Sequence, residues 1–262
     1  MTPTEDARFS NLERYCAFVG HPRSGHSALG TLLNAHRHAL VSHNLDALAC
    51  LRTGLPREEL FRLILARDRS FAAEGRKMGR YSYEVPTQWL GHVDELRVIG
   101  DKRAGASSRH LAEDDALLRK LPGLVGLPVS VIHHLRNPWD NIASIWQWKP
   151  TRRGRSLAAV ADAYFARADA AARGMSVAGE AIDVIRTFHE ELVCETRKVM
   201  TGVLQRLSLP IDETFLDACE SFLHAEPRRT RFDVSWPGGL VENIGERAQH
   251  RDGLAHYRFE AD

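Results

Sequence analysis

The stretch "FVGHPRSGHSALGTLLNAH", Phe18 to His36, decides how the rest of the chain is read. It spaces Gly20, Gly25 and Ser27 as G-x-x-x-x-G-x-S, the spacing of a loop that cradles phosphate. Backbone N–H groups of such a turn point into the start of a helix, and the helix dipole adds to the pull on an anion. A nucleotide-triphosphate loop carries Lys between the second Gly and the Ser, where it reaches the outer phosphates beside magnesium. Here that place is held by His26, and the cation, Arg23, sits inside the loop. A guanidinium grips a tetrahedral oxyanion with paired donors and stays charged. Arg23, Ser24, Gly25, His26 and Ser27 therefore form a candidate anion site for which a triphosphate is a poor match. A phosphosulfate fits better, because its terminal group carries less charge. The plainer reading is a strand-to-helix turn whose Gly and Ser only satisfy helix-start geometry.

Outward from this loop, "YCAFVG" before it and the apolar-periodic "SALGTLLNAH" after it read as strand, loop and helix. "ELRVIGDK" (Glu95 to Lys102) and "LPVSVIHHLRNP" (Leu127 to Pro138) repeat the pattern, each followed by a helix-like run, "SSRHLAEDDALLRKL" and "PWDNIASIWQW". "SLAAVADAYFARADAAARGM" is an Ala-rich amphipathic helix, "AIDVIRTFHEEL" a fourth strand, and "CETRKVMTGVLQRLSL" a helix stopped before Pro210. Alternation of this kind predicts an α/β fold: a P-loop-like parallel β-sheet flanked by helices on both faces, with ligands at the carboxyl ends of the strands. No linker or repeat divides the chain, so residues 1–262 are expected to form a single domain, with 226–262 as a loop-rich lid or tail.

The composition bounds the function. The chain has 262 residues, 44% hydrophobic and 26% charged, with a formal net charge of +1. That charge provides no long basic face for nucleic acid, so any anion site must be local. The four cysteines form no C-x-x-C pair. No window approaches the roughly 18 apolar residues of a membrane span, and the polar start "MTPTEDARFSNLERY" is unlike a signal peptide. The expectation is a cytoplasmic protein that binds neither membrane nor nucleic acid. Its oligomeric state is not legible.

A second motif, "HLRNPWDNIASIW" (His134 to Trp146), places Arg136 at a strand end, Pro138 at a helix start and Ser144 two turns inside, so Arg136 and Ser144 can converge on one anion. Its plainer reading has Asp140 and Asn141 as first-turn polar residues and Arg136 paired with a carboxylate.

Together these residues resemble the sulfotransferases that use 3'-phosphoadenosine 5'-phosphosulfate (PAPS), of bacterial type and related to the tyrosylprotein branch. "HPRSGHS" resembles that family's 5'-phosphosulfate loop and "RNPWDNIAS" its 3'-phosphate motif. "VIGDKRAG" is similar to its strand-end lysine segment, and "FHEELVCETRKVMTGVLQRLSLPIDETFL" to its E-D-L and following helix; the matches run in order from Phe18 to about Phe222. The resemblance implies that Arg23, Ser24, Gly25, His26 and Ser27 hold the 5'-phosphosulfate, that Arg136 and Ser144 hold the 3'-phosphate, and that Lys102 lies near the bridging oxygen. PAPS would be the donor and adenosine 3',5'-bisphosphate (PAP) the product, with no metal required. The acceptor would be a small-molecule or saccharide hydroxyl, or as the lesser alternative an amine.

Two positions depart from the family pattern. His26 replaces a hydroxyl residue and could add positive charge at mildly acidic pH. Where the tyrosylprotein branch carries a catalytic glutamate, counted from the loop arginine, this chain has Asn44, and an amide cannot take a proton. The neighbouring His43 becomes the candidate base, with Arg23 and Lys102 as the other catalytic residues; Asp46 is the remaining local carboxylate and an exposed turn histidine the plainer reading of His43. His36, His38 and His43 have no spacing that defines a metal site. Lys149 to Arg155 reads as solvated surface or as a nucleotide contact, Tyr81 to Gly91 as a loop wall or as core. In Glu226 to Gly239 the arginines could reach the 3'-phosphate while Phe232 and Trp236 cover the acceptor. The rivals are a divergent P-loop kinase or nucleotide hydrolase, with Asp101 as the acid that would hold magnesium, and a degenerate member that binds PAP without turnover.

Overall fold

A computed structural model of the chain describes residues 7–79, 81–86, 95–148, 154–223 and 226–260. Its strands are β1 (Arg14–Gly20), β2 (Ala39–His43), β3 (Lys77–Met78), β4 (Tyr81–Ser82), β5 (Val98–Lys102), β6 (Val129–Leu135) and β7 (Asp183–Phe188). Five of them make a parallel sheet of order β2-β5-β1-β6-β7, while β3 and β4 pair antiparallel as a small separate hairpin. β1, β5 and β6 are buried almost throughout, as strands covered by helices on both faces must be. Side chains alternate across β1: Tyr15, Ala17 and Val19 enter one apolar cluster, Cys16 and Phe18 another on the opposite face.

The helices between the strands are α1 (His26–Ala35), α2 (Ala47–Arg52), α3 (Arg57–Ala73), α4 (Ala104–Glu113), α5 (Leu117–Val125), α6 (Pro138–Gln147) and α7 (Leu157–Ala178). After β7 come α8 (His189–Cys194), α9 (Thr196–Arg206), α10 (Glu213–Phe222) and α11 (Leu240–Gln249). α1, α9 and α10 cover one face of the sheet, α3, α4, α5 and α7 the other. A third cluster lies behind α6, where Trp139 and Ile142 meet Tyr164, Phe165, Ile244 and Tyr257. The α/β architecture is the one the alternation of elements implies.

Three local expectations change. β2 was not recognised in the sequence, nor were α2 and α3. The run from Ser107 to Leu121 is two helices: α4 stops at Glu113, and the Asp114 carboxylate accepts the N–H of Ala116 at 3.1 Å, capturing a donor that a continuous helix would need. Of the Lys149 to Arg155 patch, residues 149–153 lie outside the described residues, as do 87–91 of the Tyr81 to Gly91 segment.

The register brings the functional ends into line. His43 pairs with Lys102 across β2 and β5, and Gly20 with His134 across β1 and β6. The loop after β1 and the Arg136–Asn137 corner after β6 flank a crevice where the chain has switched sides of β1, the place where open α/β sheets take ligands. Among the described residues no helix is long and apolar enough to cross a membrane.

Candidate anion site at the carboxyl ends of the strands

The loop between β1 and α1 is held in an uncommon conformation. Arg23 has φ 66° and Gly25 φ 93°, both left-handed. Gly25 is required twice over, since a Cβ there would also lie 2.2 Å from Nδ1 of His189 at the start of α8. The strain at Arg23 is supported from α6 and its preceding corner: Arg136 Nη1 donates to the Arg23 carbonyl at 3.1 Å, and Asn141 Nδ2 to the Pro22 carbonyl at 2.8 Å. The second motif thus fastens the first. Below the loop, Ser108 on α4 bonds both the N–H and the C=O of Gly20, at 2.9 and 2.8 Å.

The cations gather around this loop. Arg23 Nε donates to Ser144 Oγ at 3.3 Å, and its Nη2 lies 3.5 Å from the Tyr81 hydroxyl, with the guanidinium 5.8 Å from that ring's centre. Arg136 and Ser144 are therefore brought together through Arg23, one on its carbonyl and one on its guanidinium. Arg136 Nη2 also donates to the Arg228 carbonyl at 2.5 Å and to Thr230 Oγ1 at 3.3 Å, whereas its buried Nε has no partner.

Lys102 comes in from the end of β5. Its side chain crosses α1 at Gly30, where a Cβ would lie 2.5 Å from Lys102 Cγ, and reaches Ser27. Three acceptors surround Nζ: Ser27 Oγ at 2.9 Å, Asn44 Oδ1 at 2.9 Å and His43 Nε2 at 3.3 Å. That set matches the three protons of an ammonium. Burial pulls the lysine down to about 7, against the raising effect of Asp101 and with the help of Arg103 and Arg67.

The histidines differ from their sequence reading. His43 is no exposed turn residue: it ends β2, is 4% exposed, and stacks on Phe71 with ring centres 4.5 Å apart. Burial first, then Lys102, Arg67 and Arg76, lower it to about 3, so it is a neutral and weak base. His26 does not add charge either; it is buried, its Nδ1 lies 3.2 Å from Ser24 Oγ, and desolvation pushes it well below the usual range. His36 bonds the Pro210 carbonyl and His38 the Glu95 carbonyl. Among the described residues no group of three or more His, Cys, Asp or Glu could hold a metal ion.

Asp101 has a different duty from the one a kinase would give it. Ser42 Oγ and Leu45 N donate to one carboxylate oxygen, Asp46 N and Ala47 N to the other, at 2.8 to 3.0 Å. It ties down the turn that carries Asn44 and starts α2. Asp46 is likewise engaged, by His110 at 2.9 Å and Arg103 at 3.3 Å.

The arginines of the C-terminal segment differ: Arg228 and Arg229 are exposed, whereas Arg231 is packed. Arg231, fully buried, gives its backbone N–H and its Nη1 to the carboxylate of Asp140 at 2.7 and 2.5 Å, so this arginine is a brace and no phosphate ligand. Trp236 donates to the Arg231 carbonyl within the third cluster, and Arg228 pairs with Asp233. Phe232 is an exposed large apolar side chain there. Glu190 joins α8 to both neighbours, accepting from Asn137 N at 3.0 Å and from the Tyr257 hydroxyl at 2.7 Å.

Sequence reading missed Gly30, His189 and Thr230, gave Asn141 only a first-turn polar role, and read Tyr81 to Gly91 as a loop wall or as core without tying it to Arg23. Only Gly30 left a usable sign: a glycine inside a helix costs about 1 kcal/mol against alanine and marks a close approach.

No family model matches the sequence, and no curated protein matches it. Solved structures do. The sulfotransferase domain of the curacin biosynthetic pathway superposes with a TM-score of 0.58 at 13% identity, over 92% of this chain and 98% of that one. The sulfotransferase domain of an olefin synthase from Synechococcus gives 0.56 at 14% identity, over 91% and 94%. A sulfotransferase from Alicyclobacillus acidocaldarius gives 0.51 at 14% identity, over 96% and 98%. The chain has the sulfotransferase fold: a parallel five-stranded sheet with helices on both faces and an anion-type loop after its central strand.

Proposed function

We propose that the chain is a sulfotransferase that uses PAPS and transfers the sulfuryl group to a hydroxyl, or as the lesser alternative an amine, of a small-molecule or saccharide acceptor. The observation that carries this reading is that two hydrogen-bonded sets meet on the loop 23–27 of this fold, Lys102 on Ser27, and Arg136 and Ser144 on Arg23. The loop 23–27 would hold the 5'-phosphosulfate, Arg136 and Ser144 the 3'-phosphate. The residues suit such a group: Arg136 keeps a buried, unpartnered Nε beside the loop.

The bound donor supplies an activated sulfuryl group, and PAP is the leaving group. The chain's own contribution is position and charge. The braced loop would fix the reacting end, and Arg23 and the Lys102 ammonium would stabilise the oxygens on which charge grows. With His43 lowered to about 3 and Asn44 an amide bonded to Lys102, neither offers an effective base. The kinase alternative gains nothing from the site, because the four donors on Asp101 occupy the acid it would need.

Calorimetric titration of PAP tests the reading, with EDTA present and ATP as the comparison ligand. Metal-independent binding of PAP that is lost in Arg136→Ala is expected. Magnesium-dependent ATP binding in a run without EDTA, with no PAP binding, would overturn it.

A further inference from the structure

A cavity of about 410 Å³ lies against β6 and β7, on the side of the sheet that α7 covers. The loop 23–27, Lys102 and Arg136 take no part in lining it. Its walls follow from the local sequence. Ala168, Ala172 and Met175 recur at helical spacing along α7, so two short side chains stand where the helix faces the sheet. Leu254 closes the other side, on a turn that Gly253 brings down onto β6, where a Cβ would lie 2.5 Å from Leu135 Cδ1.

Two basic side chains converge on this space. His133 on β6 and Arg186 on β7 are register partners, so they stand side by side on one face of the sheet, and both border the cavity. His133 is 7% exposed, and its buried Nδ1 has no hydrogen-bond partner. Burial first, then Arg186, lower it to about 4 against the raising effect of Asp252, so the ring is neutral and carries one N–H. Polar groups buried in this way ordinarily have a partner. Arg186 gives Nη2 to Asp252 at 2.6 Å, a carboxylate whose side chain is 81% exposed, and the fork has further donors for a second acceptor. The other charged pair, Arg251 and Asp169, is closed on itself by two bonds of 2.8 and 2.9 Å, and His250 is exposed at the rim. Both acids of the cavity are thus already neutralised. A second space of about 570 Å³ adjoins on the side of Phe188 and His256, sharing Arg186, His250, Arg251 and Asp252.

We infer that this cavity is a binding site for a small apolar carboxylate, its head shared between Arg186 and His133 and its hydrocarbon body laid along Ala168, Met175 and Leu254. A carboxylate accepts from both donors at once and gains a charge-assisted bond from the guanidinium. An amine would meet Arg186 as a like charge, and an alcohol would leave that charge unused. The body removes apolar wall from water. The site is separate from the crevice and stands whether or not the crevice takes PAPS.

The probe is hexanoate, titrated calorimetrically into the full chain, with acetate and hexanol as comparisons. Saturable binding of one equivalent is expected, tighter by about tenfold or more than either comparison, because each lacks one half of the interaction. His133→Leu and Arg186→Met are each expected to weaken hexanoate by about tenfold or more, the loss of one hydrogen bond to a charged group. Ala168→Leu fills the cavity and should abolish binding, whereas Arg136→Ala, in the crevice, should leave it unchanged. If a cavity variant does not fold, the ranking of the three probes and the Arg136→Ala result decide. No saturable binding of hexanoate, acetate or hexanol bound as tightly, or loss of hexanoate in Arg136→Ala would overturn the inference, as would full affinity in folded His133→Leu and Ala168→Leu. PAP titrated into the same samples reports on the crevice alone, so a failure there is told apart from a failure here.

Discussion

Lys102 concentrates the tension between stability and function in one side chain. It is 1% exposed and its affinity for a proton is lowered to about 7 from 10.5, mainly by burial. Between those two pH values the unfolded chain binds the proton and the folded one does not, so stability rises with pH through that window and the cost is complete below pH 7. Lys102→Met removes this dependence. The difference in Tm, variant minus wild type, is expected to be greatest below pH 7 and to fall steadily toward pH 10.5. Melting curves of both proteins across that range check the sign; a difference that grows with pH would contradict the burial account. Gly30 offers a gentler probe of the same group. Gly30→Ala puts a methyl 2.5 Å from Lys102 Cγ and displaces the ammonium without deleting it. Turnover is expected to drop by about 100-fold, the effect of a misplacement near 1 Å, with PAP affinity little changed. Calorimetry beside initial rates separates the two effects.

At the scale of elements, α6 organises the site more than any single strand. Asn137 caps its first turn, accepting from Trp139 N and Asp140 N, Asn141 donates to the Pro22 carbonyl of the loop after β1, and Asp140 holds Arg231 of the C-terminal segment. Arg231→Met would leave a buried carboxylate without its counter-ion, a loss of about 3–5 kcal/mol. A lowered Tm and new proteolytic cleavage between residues 226 and 239 are expected; unchanged protection of that stretch would show that the brace is dispensable. Elements also differ in how plainly the sequence announced them. β1 and β6 are long apolar runs ending in Gly or Arg, and their helices follow at once, so they were legible. β2 is five residues flanked and ended by histidines, and its strand character comes from pairing with β5. The loop 23–27 and the Arg136–Ser144 motif are local patterns and could be read directly. Asp101 could not, because its four donors come from a turn more than 50 residues away in the chain. Tyr81 and His189 meet the loop only through the tertiary fold.

For the whole molecule, the net charge of +1 conceals a strongly uneven distribution. Arg23, Lys102 and Arg136 converge at one end of the sheet, whereas Arg197, with Glu213, Asp217 and Glu220, is neutralised far from it in the α9–α10 pair. Relieving the repulsion of the converging cations is one source of ligand stabilisation. PAP at 100 times its Kd should stabilise the fold by about 2.7 kcal/mol, a Tm rise of several degrees, and the rise should shrink with added salt. A thermal-shift series in PAP and sodium chloride measures both; no shift at saturating PAP would contradict a donor site built from these residues.

The order β2-β5-β1-β6-β7 divides this crevice unequally. The loop 23–27 and Arg136 hang from β1 and β6 in the interior of the sheet, where any change is felt by neighbours on both sides. His43 and Asn44 hang from β2 at the rim, and the hairpin of two-residue strands pairs with no strand of the main sheet. On the proposed function, a substitution in the interior half would disturb donor binding together with the middle of the sheet, whereas one at the rim would bear mainly on the acceptor.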